Sequence, residues 1–156
     1  MEEWIVNYLL QNNMTMTTVE SCTGGMIASR IVNVSGVSQA FEEGYVTYSN
    51  HAKEKLVNVK AETIEKYNVV SNEVAAEMAV GGAKASEADV AVSVTGVAGP
   101  DGGTDAIPVG TVCIGVYANG KIKTERFLFT GDRMQVRLSA CDKALEMVKE
   151  MLEECK

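Results

Sequence analysis

The chain has 156 residues, 46% of them apolar and 22% charged, and a net charge of −7. These figures suit one globular domain with a full core and exclude a disordered chain. They offer no basic face for nucleic acid and no apolar run long enough for a bilayer, so neither partner is expected.

The opening "MEEWIVNYLL" starts with two acids, unlike a signal peptide, so a cytoplasmic setting with reduced thiols is expected. Residues 2–11 read as a short amphipathic helix with Ile5, Tyr8 and Leu9 on one side. Residues 14–20 read as a strand, and Gly24-Gly25 opens a helix to about residue 32. A second strand is expected over 41–48, then a helix in "NHAKEKL" capped by Ser49 or Asn50. Residues 61–67 read as helical, and Ser71 caps a longer helix over 72–86 with a narrow stripe of Val74, Met78 and Ala79. "ADVAVSVTG" is a near-continuous small apolar run, as in a strand covered on both faces. In "VGTVCIGVYANGKIKTERFLF" two strand-like runs flank Asn119-Gly120, a tight hairpin turn. From Asp132 a long helix is expected, its apolar face formed by Met134, Leu138, Cys141, Leu145, Val148 and Leu152. Alternating strands and helices with one hairpin predict an α/β fold, a three-layer α/β/α sandwich around a mixed β-sheet, in a single domain over residues 1–156.

Four stretches are candidates for chemistry. In "ESCTGG", Ser21, Cys22 and Thr23 directly precede Gly24 and Gly25 at a strand–turn–helix junction. Ser21 or Thr23 caps the helix on one reading. On the other, the turn holds a nucleophile at the edge of the sheet where open α/β folds bind ligands, with N–H groups at 23–25 facing a phosphate or an oxyanion. In "YVTYSNHAK", Tyr48 and Lys53 fall where a strand ends and a helix begins, although Lys53 also suits a solvated helix surface. "SVTGVAGPDGGTDAIPVGTV" contains Gly96, Gly99, Gly102, Gly103 and Gly110 with both prolines of the chain. It reads as a ligand cradle or as a flexible connection, and it matches neither a Walker loop nor a dinucleotide fingerprint. In "GDRMQVR", Arg133 and Arg137 are four apart on one helix face, suited to gripping a phosphate or to pairing at a solvated edge. Four cysteines without a C-x-x-C pair, and a single histidine at His51, predict no metal site.

Taken in this order, "ESCTGG", "GYVTYSNHAK", "VSNEVAAEMA", "SVTGVAGPDGG", "PVGTV" and "GDR…VR" closely resemble the CinA C-terminal domain family over residues 17–152. That family includes free-standing, PncC-like nicotinamide mononucleotide deamidases. The resemblance implies a three-layer α/β/α fold, no required metal or cofactor, a homodimer, and hydrolysis of nicotinamide mononucleotide to nicotinic acid mononucleotide and ammonia. It implies Ser21 as nucleophile with Lys53 and Tyr48 assisting. Thr95 and Gly96 line the substrate site. Cys22, Thr23, Gly24, Gly25 and Gly99 adjoin the substrate, and Arg133 or Arg137 faces its phosphate. Two positions depart from the family pattern: His51 replaces a more usual acid, and Ala106-Ile107 stands where a charged residue commonly precedes the proline. A serine–lysine mechanism needs Lys53 neutral near pH 7, a depression of roughly 3 pH units. Cys22 stays open as a rival nucleophile, its thiol expected to be acidified by a helix N-terminus. A nucleotide-binding module without catalysis, and hydrolysis of a different amide, also stay open.

Overall fold

The computed structural model describes residues 1–155. In chain order the elements are α1 (Glu2–Gln11), β1 (Met16–Glu20), α2 (Met26–Val32), a 3-10 turn (Val37–Gln39), β2 (Tyr45–Val46), α3 (Asn50–Val57), α4 (Ala61–Tyr67), α5 (Asn72–Ser86), β3 (Val90–Gly96), β4 (Thr111–Ala118), β5 (Lys121–Leu128) and α6 (Arg133–Glu154). The strands form one sheet in the order β2-β1-β3-β4-β5. β2, β1 and β3 run parallel, while β4 and β5 are antiparallel to their neighbours. The α/β fold with a mixed sheet expected from the sequence is the one observed. No helix among the described residues is long and apolar enough to cross a membrane.

Period-2 alternation assigns the two faces of the sheet. Met16, Val90, Val92, Val94, Val112, Ile114 and Val116 meet α1, α2 and α6 in the main core. On the other face Val19 packs with Val57, Val74 and Met78, and Ala91 packs with Ala79 and Ala83. Residues there are small, so α5 lies close to the strands. The Ser93 hydroxyl donates to the Ala75 carbonyl at 2.6 Å. A Cβ on Gly115 would come within 2.6 Å of that same carbonyl oxygen.

Local signals account for most boundaries. Ser49 and Ser71 cap α3 and α5 by accepting from Ala52 and Val74 N–H groups. Asp132 and Gln135 form a reciprocal capping box at the start of α6. The hairpin turns on Asn119 and Gly120, both at positive φ (51° and 75°), as a primed turn requires.

Two expectations change. The strand expected over 41–48 shrinks to Tyr45–Val46. Phe41 makes only an isolated bridge to Met16, and the Thr17 hydroxyl donates to the Glu43 carbonyl, so a side chain replaces the ladder there. In α6, Met134 and Leu138 are exposed while Val136 and Ala140 are buried. Arg133 and Arg137 turn toward the loops at the sheet edge, and that rotation brings Val136 and Ala140 over the core. A Gly115→Ala substitution should lower stability by about 1–3 kcal/mol through overpacking against α5. Urea unfolding should show a reduced midpoint with an unchanged slope.

Candidate active site

β1 ends at Glu20, and its alternation carries past its end. Glu20 points to the α2 side of the sheet, where its carboxylate accepts from the Ile27 and Ala28 N–H groups at 2.8 and 3.0 Å. Ser21 takes the opposite side, that of α3 and α5. Cys22 returns to the main apolar core. Adjacent residues of one turn are thereby sorted into a helix anchor, a cavity-facing hydroxyl and a packed thiol.

Lys53 projects from the buried face of α3 toward that hydroxyl and is 1% exposed. Its Nζ donates to Ser21 Oγ at 3.0 Å and to the Thr47 carbonyl at 2.7 Å. No carboxylate among the described residues pairs with the amine. Burial pulls its pKa from 10.5 down to about 8, with the Cys22 thiol a smaller opposing influence. Burial also pushes the Cys22 thiol up to about 11. This corrects the expectation of an acidified cysteine: Ile27 and Ala28, in the first turn of α2, donate to Glu20, and the thiol lies in the core.

Ser21, Cys22, Tyr48, Lys53, Thr95, Gly96, Gly99 and Arg133 line one cavity of about 310 Å³ at the C-terminal edge of the parallel strands. Thr95 uses its hydroxyl to hold the Val69 carbonyl at 2.9 Å. Tyr48 is 62% exposed at the rim. Its hydroxyl accepts from Arg133 Nη2 at 2.9 Å, while Arg133 Nη1 donates to the Gly99 carbonyl at 2.7 Å. One guanidinium therefore ties the glycine-rich loop to the tyrosine.

Thr23, Gly24, Gly25 and Arg137 lie outside that cavity lining. Arg137 donates to the Cys22 and Thr23 carbonyls at 2.9 and 3.2 Å, holding the turn from α6. The helix begins at Met26 rather than at Gly24-Gly25, and the Gly24 N–H donates to the Ser21 carbonyl. Among the described residues the N–H groups of Cys22, Thr23 and Gly25 donate to no backbone carbonyl, and the Cys22 N–H lies against its own thiol.

Gly102 of the glycine-rich stretch lines the cavity too, as do Asn50, expected only as a helix cap, and Asp101 and the Val69–Val70 pair, to which the sequence assigns no site role. Asn50 stands three residues before Lys53 on α3, a spacing that shares a helix face. Glu20 was read only as a strand end, although an acid two or more residues before a glycine-led helix is a ready partner for its first N–H groups. His51 is exposed beside the site. Ala106 offers its carbonyl to Arg126 at 2.8 Å, and Ile107, like Val69 and Val97, packs against the cluster of Val70, Ala75 and Cys113.

Comparison with known proteins finds matches over nearly all of the chain. The CinA C-terminal domain family matches residues 1–152. A CinA-like protein from Kosmotoga olearia is 49% identical over 152 residues, which are 97% of this chain and 37% of that protein; the chain thus spans little more than a third of that relative's length. The crystal structure of a competence-damaged protein (CinA) superfamily protein from Escherichia coli superposes with a TM-score of 0.93 at 35% identity, covering 96% of this chain and 87% of the other. A competence/damage inducible protein from Agrobacterium tumefaciens gives 0.90 at 35% identity, covering 97% and 95%.

The buried amine makes stability depend on pH with a definite sign. Folded Lys53 releases its proton near pH 8, whereas the unfolded chain holds it to about 10.5. Between those values the unfolded state binds more protons, so this group's contribution to stability rises with pH and is lost as pH falls through 8. Replacing the amine by a thioether, Lys53→Met, should therefore raise the thermal midpoint at pH 7. The advantage should shrink toward pH 10, as differential scanning calorimetry at the two pH values would measure.

Proposed function

We propose that this chain, which belongs to the CinA C-terminal domain family, hydrolyses the carboxamide of nicotinamide mononucleotide to the carboxylate, releasing ammonia. The observation that carries the reading is a single hydrogen bond: a cavity-lining serine hydroxyl 3.0 Å from a buried lysine amine that has no counter-ion among the described residues. A structural lysine gains nothing from such a place, whereas a general base does.

In the reaction, neutral Lys53 keeps one N–H on the Thr47 carbonyl, which aims its lone pair at the serine. The 3.0 Å contact then runs from the Ser21 hydroxyl to nitrogen. Ser21 Oγ attacks the amide carbon as its proton passes to Lys53, and the oxyanion faces the Cys22 N–H. The ammonium of Lys53 returns that proton to the departing nitrogen, and the C–N bond breaks to give ammonia and an acyl-serine. Water enters, gives its proton to Lys53, and cleaves the ester; the proton returns to Ser21. Atoms and charge balance with no added cofactor.

Arg133 fits the phosphate better than Arg137. It lines the cavity with a guanidinium that still has free N–H groups, while Arg137 faces the carbonyls of the turn. Tyr48 is held by Arg133 at the rim, which suits contact with the nucleotide more than proton transfer at Ser21. Cys22 is disfavoured as nucleophile by its raised pKa and its packing. The homodimer and the cytoplasmic setting belong to the same proposal.

Ammonia release from nicotinamide mononucleotide tests it. Ser21→Ala should lower kcat at least about 10³-fold, and Lys53→Met about 10²–10⁴-fold, with both proteins folded. Cys22→Ala should stay near the wild-type rate. Arg133→Ala should act mainly by raising KM. The kcat/KM profile should climb about tenfold per pH unit and level off near pH 8, where Lys53 loses its proton. Nucleotide binding without ammonia release by the wild-type protein would replace the hydrolase by a binding module.

A further inference from the structure

Two adjacent glycines, Gly81 and Gly82, sit in the middle of α5, where each costs roughly 1 kcal/mol of helix relative to alanine. Neither has a positive φ, so backbone conformation does not call for glycine. Space does. A Cβ on Gly81 would lie 1.8 Å from the carbonyl oxygen of Val57, and a Cβ on Gly82 would lie 2.3 Å from Cγ2 of Val19.

The residues these glycines touch are not arbitrary. Val57 ends α3 and lies one turn beyond Lys53 on the same buried face. Val19 is in β1, two residues before Ser21 and on the same side of the sheet. One turn of α5 therefore seats both elements that carry the reactive pair, by backbone contact in one case and by a stiff β-branched side chain in the other. α3 has only eight residues, so its docking at Val57 governs how deep Lys53 reaches.

We propose that Gly81 and Gly82 are positioning residues for the Ser21–Lys53 pair, letting α3 and β1 close on a single turn of α5 until hydroxyl and amine meet. The catalytic consequence rests on the hydrolase reading above; the separation of the two side chains does not. With a methyl at position 81, the Val57 carbonyl must retreat by more than roughly 1 Å to reach an ordinary contact. A hydrogen bond of 3.0 Å has only about 0.5 Å of slack, and misplacement by ~1 Å from a remote substitution costs about 10²-fold in rate.

The test measures separation and rate together. Gly81→Ala should show Ser21 Oγ and Lys53 Nζ beyond hydrogen-bonding distance in a crystal structure, with kcat on nicotinamide mononucleotide down about 10²-fold and KM within about twofold. Gly82→Ala should lose rate, and Val19→Ala added to it should restore most of that loss by removing the obstructing methyl. Leu145→Val, a core change in the opposite layer, serves as the stability control and should keep its rate at a comparable drop in thermal midpoint. The amine faces the Ser21 hydroxyl, the Thr47 carbonyl and the Cys22 thiol, so a 13C NMR titration of the Lys53 side chain reports its displacement without any turnover. A Gly81→Ala protein with the wild-type separation and titration overturns the proposal, as does a control that loses rate in step with stability. Should Gly81→Ala not fold, rescue of Gly82→Ala by Val19→Ala supports the proposal and absence of rescue overturns it. Wild-type protein that releases no ammonia refutes the hydrolase reading alone, because the separation and the titration still decide the positioning.

Discussion

The hydrogen bond between Ser21 and Lys53 is the constraint around which the rest of the site is arranged. Removing a primary amine from water without a carboxylate beside it is unfavourable, and among the described residues Lys53 is placed in this way. The result is an amine whose pKa falls to about 8, as the general base of the proposed hydrolysis requires. The Thr47 carbonyl steadies it without restoring its charge, since a carbonyl bonds an N–H of either form.

The alternation of β1 makes this arrangement possible. Consecutive side chains at 20, 21 and 22 go to opposite sides of the sheet, so each has a separate task. Glu20 takes the amides at the start of α2, which anchors the turn and removes the helix terminus as a source of acidity for Cys22. The thiol then packs against the core at the wall of the cavity, with its pKa raised by burial. Shifting the register by one residue would exchange the sides of the serine and the cysteine, so the parallel pairing of β1 with β3 decides which of them meets Lys53.

α6 contributes from the other side. Arg137 fastens the carbonyls of the turn, and Arg133, one helical turn earlier, joins the Gly99 loop to Tyr48. Two arginines with the same spacing and chemistry thus differ in accessibility: one faces protein carbonyls, the other faces the cavity. The glycines of the 96–103 loop and those of α5 also differ. Gly99 and Gly102 hold positive φ in a loop, whereas Gly81 and Gly82 make room for neighbouring backbone and side chain.

Local rules were enough to read much of this molecule from its residues. Capping serines at 49 and 71, the Asn119-Gly120 turn and the apolar run of β3 are short-range signals, and their elements formed where expected. The family resemblance rested on the same short motifs and singled out Ser21 and Lys53. Other features depend on contacts between distant segments, which no local pattern encodes. The reduction of the 41–48 strand follows from how Thr17 meets Glu43, and the exposure of Met134 and Leu138 follows from the rotation that brings Arg137 to the turn. The roles of Glu20, Arg133 and Arg137 were likewise undecided until the chain closed, because an ionisable side chain is defined by what faces it. Sequence alone determined which groups were available and on which elements they stood. Tertiary structure decided which amine was dry, which thiol packed against the core and which arginine faced the cavity, since desolvation and partnership exist only after distant segments pack.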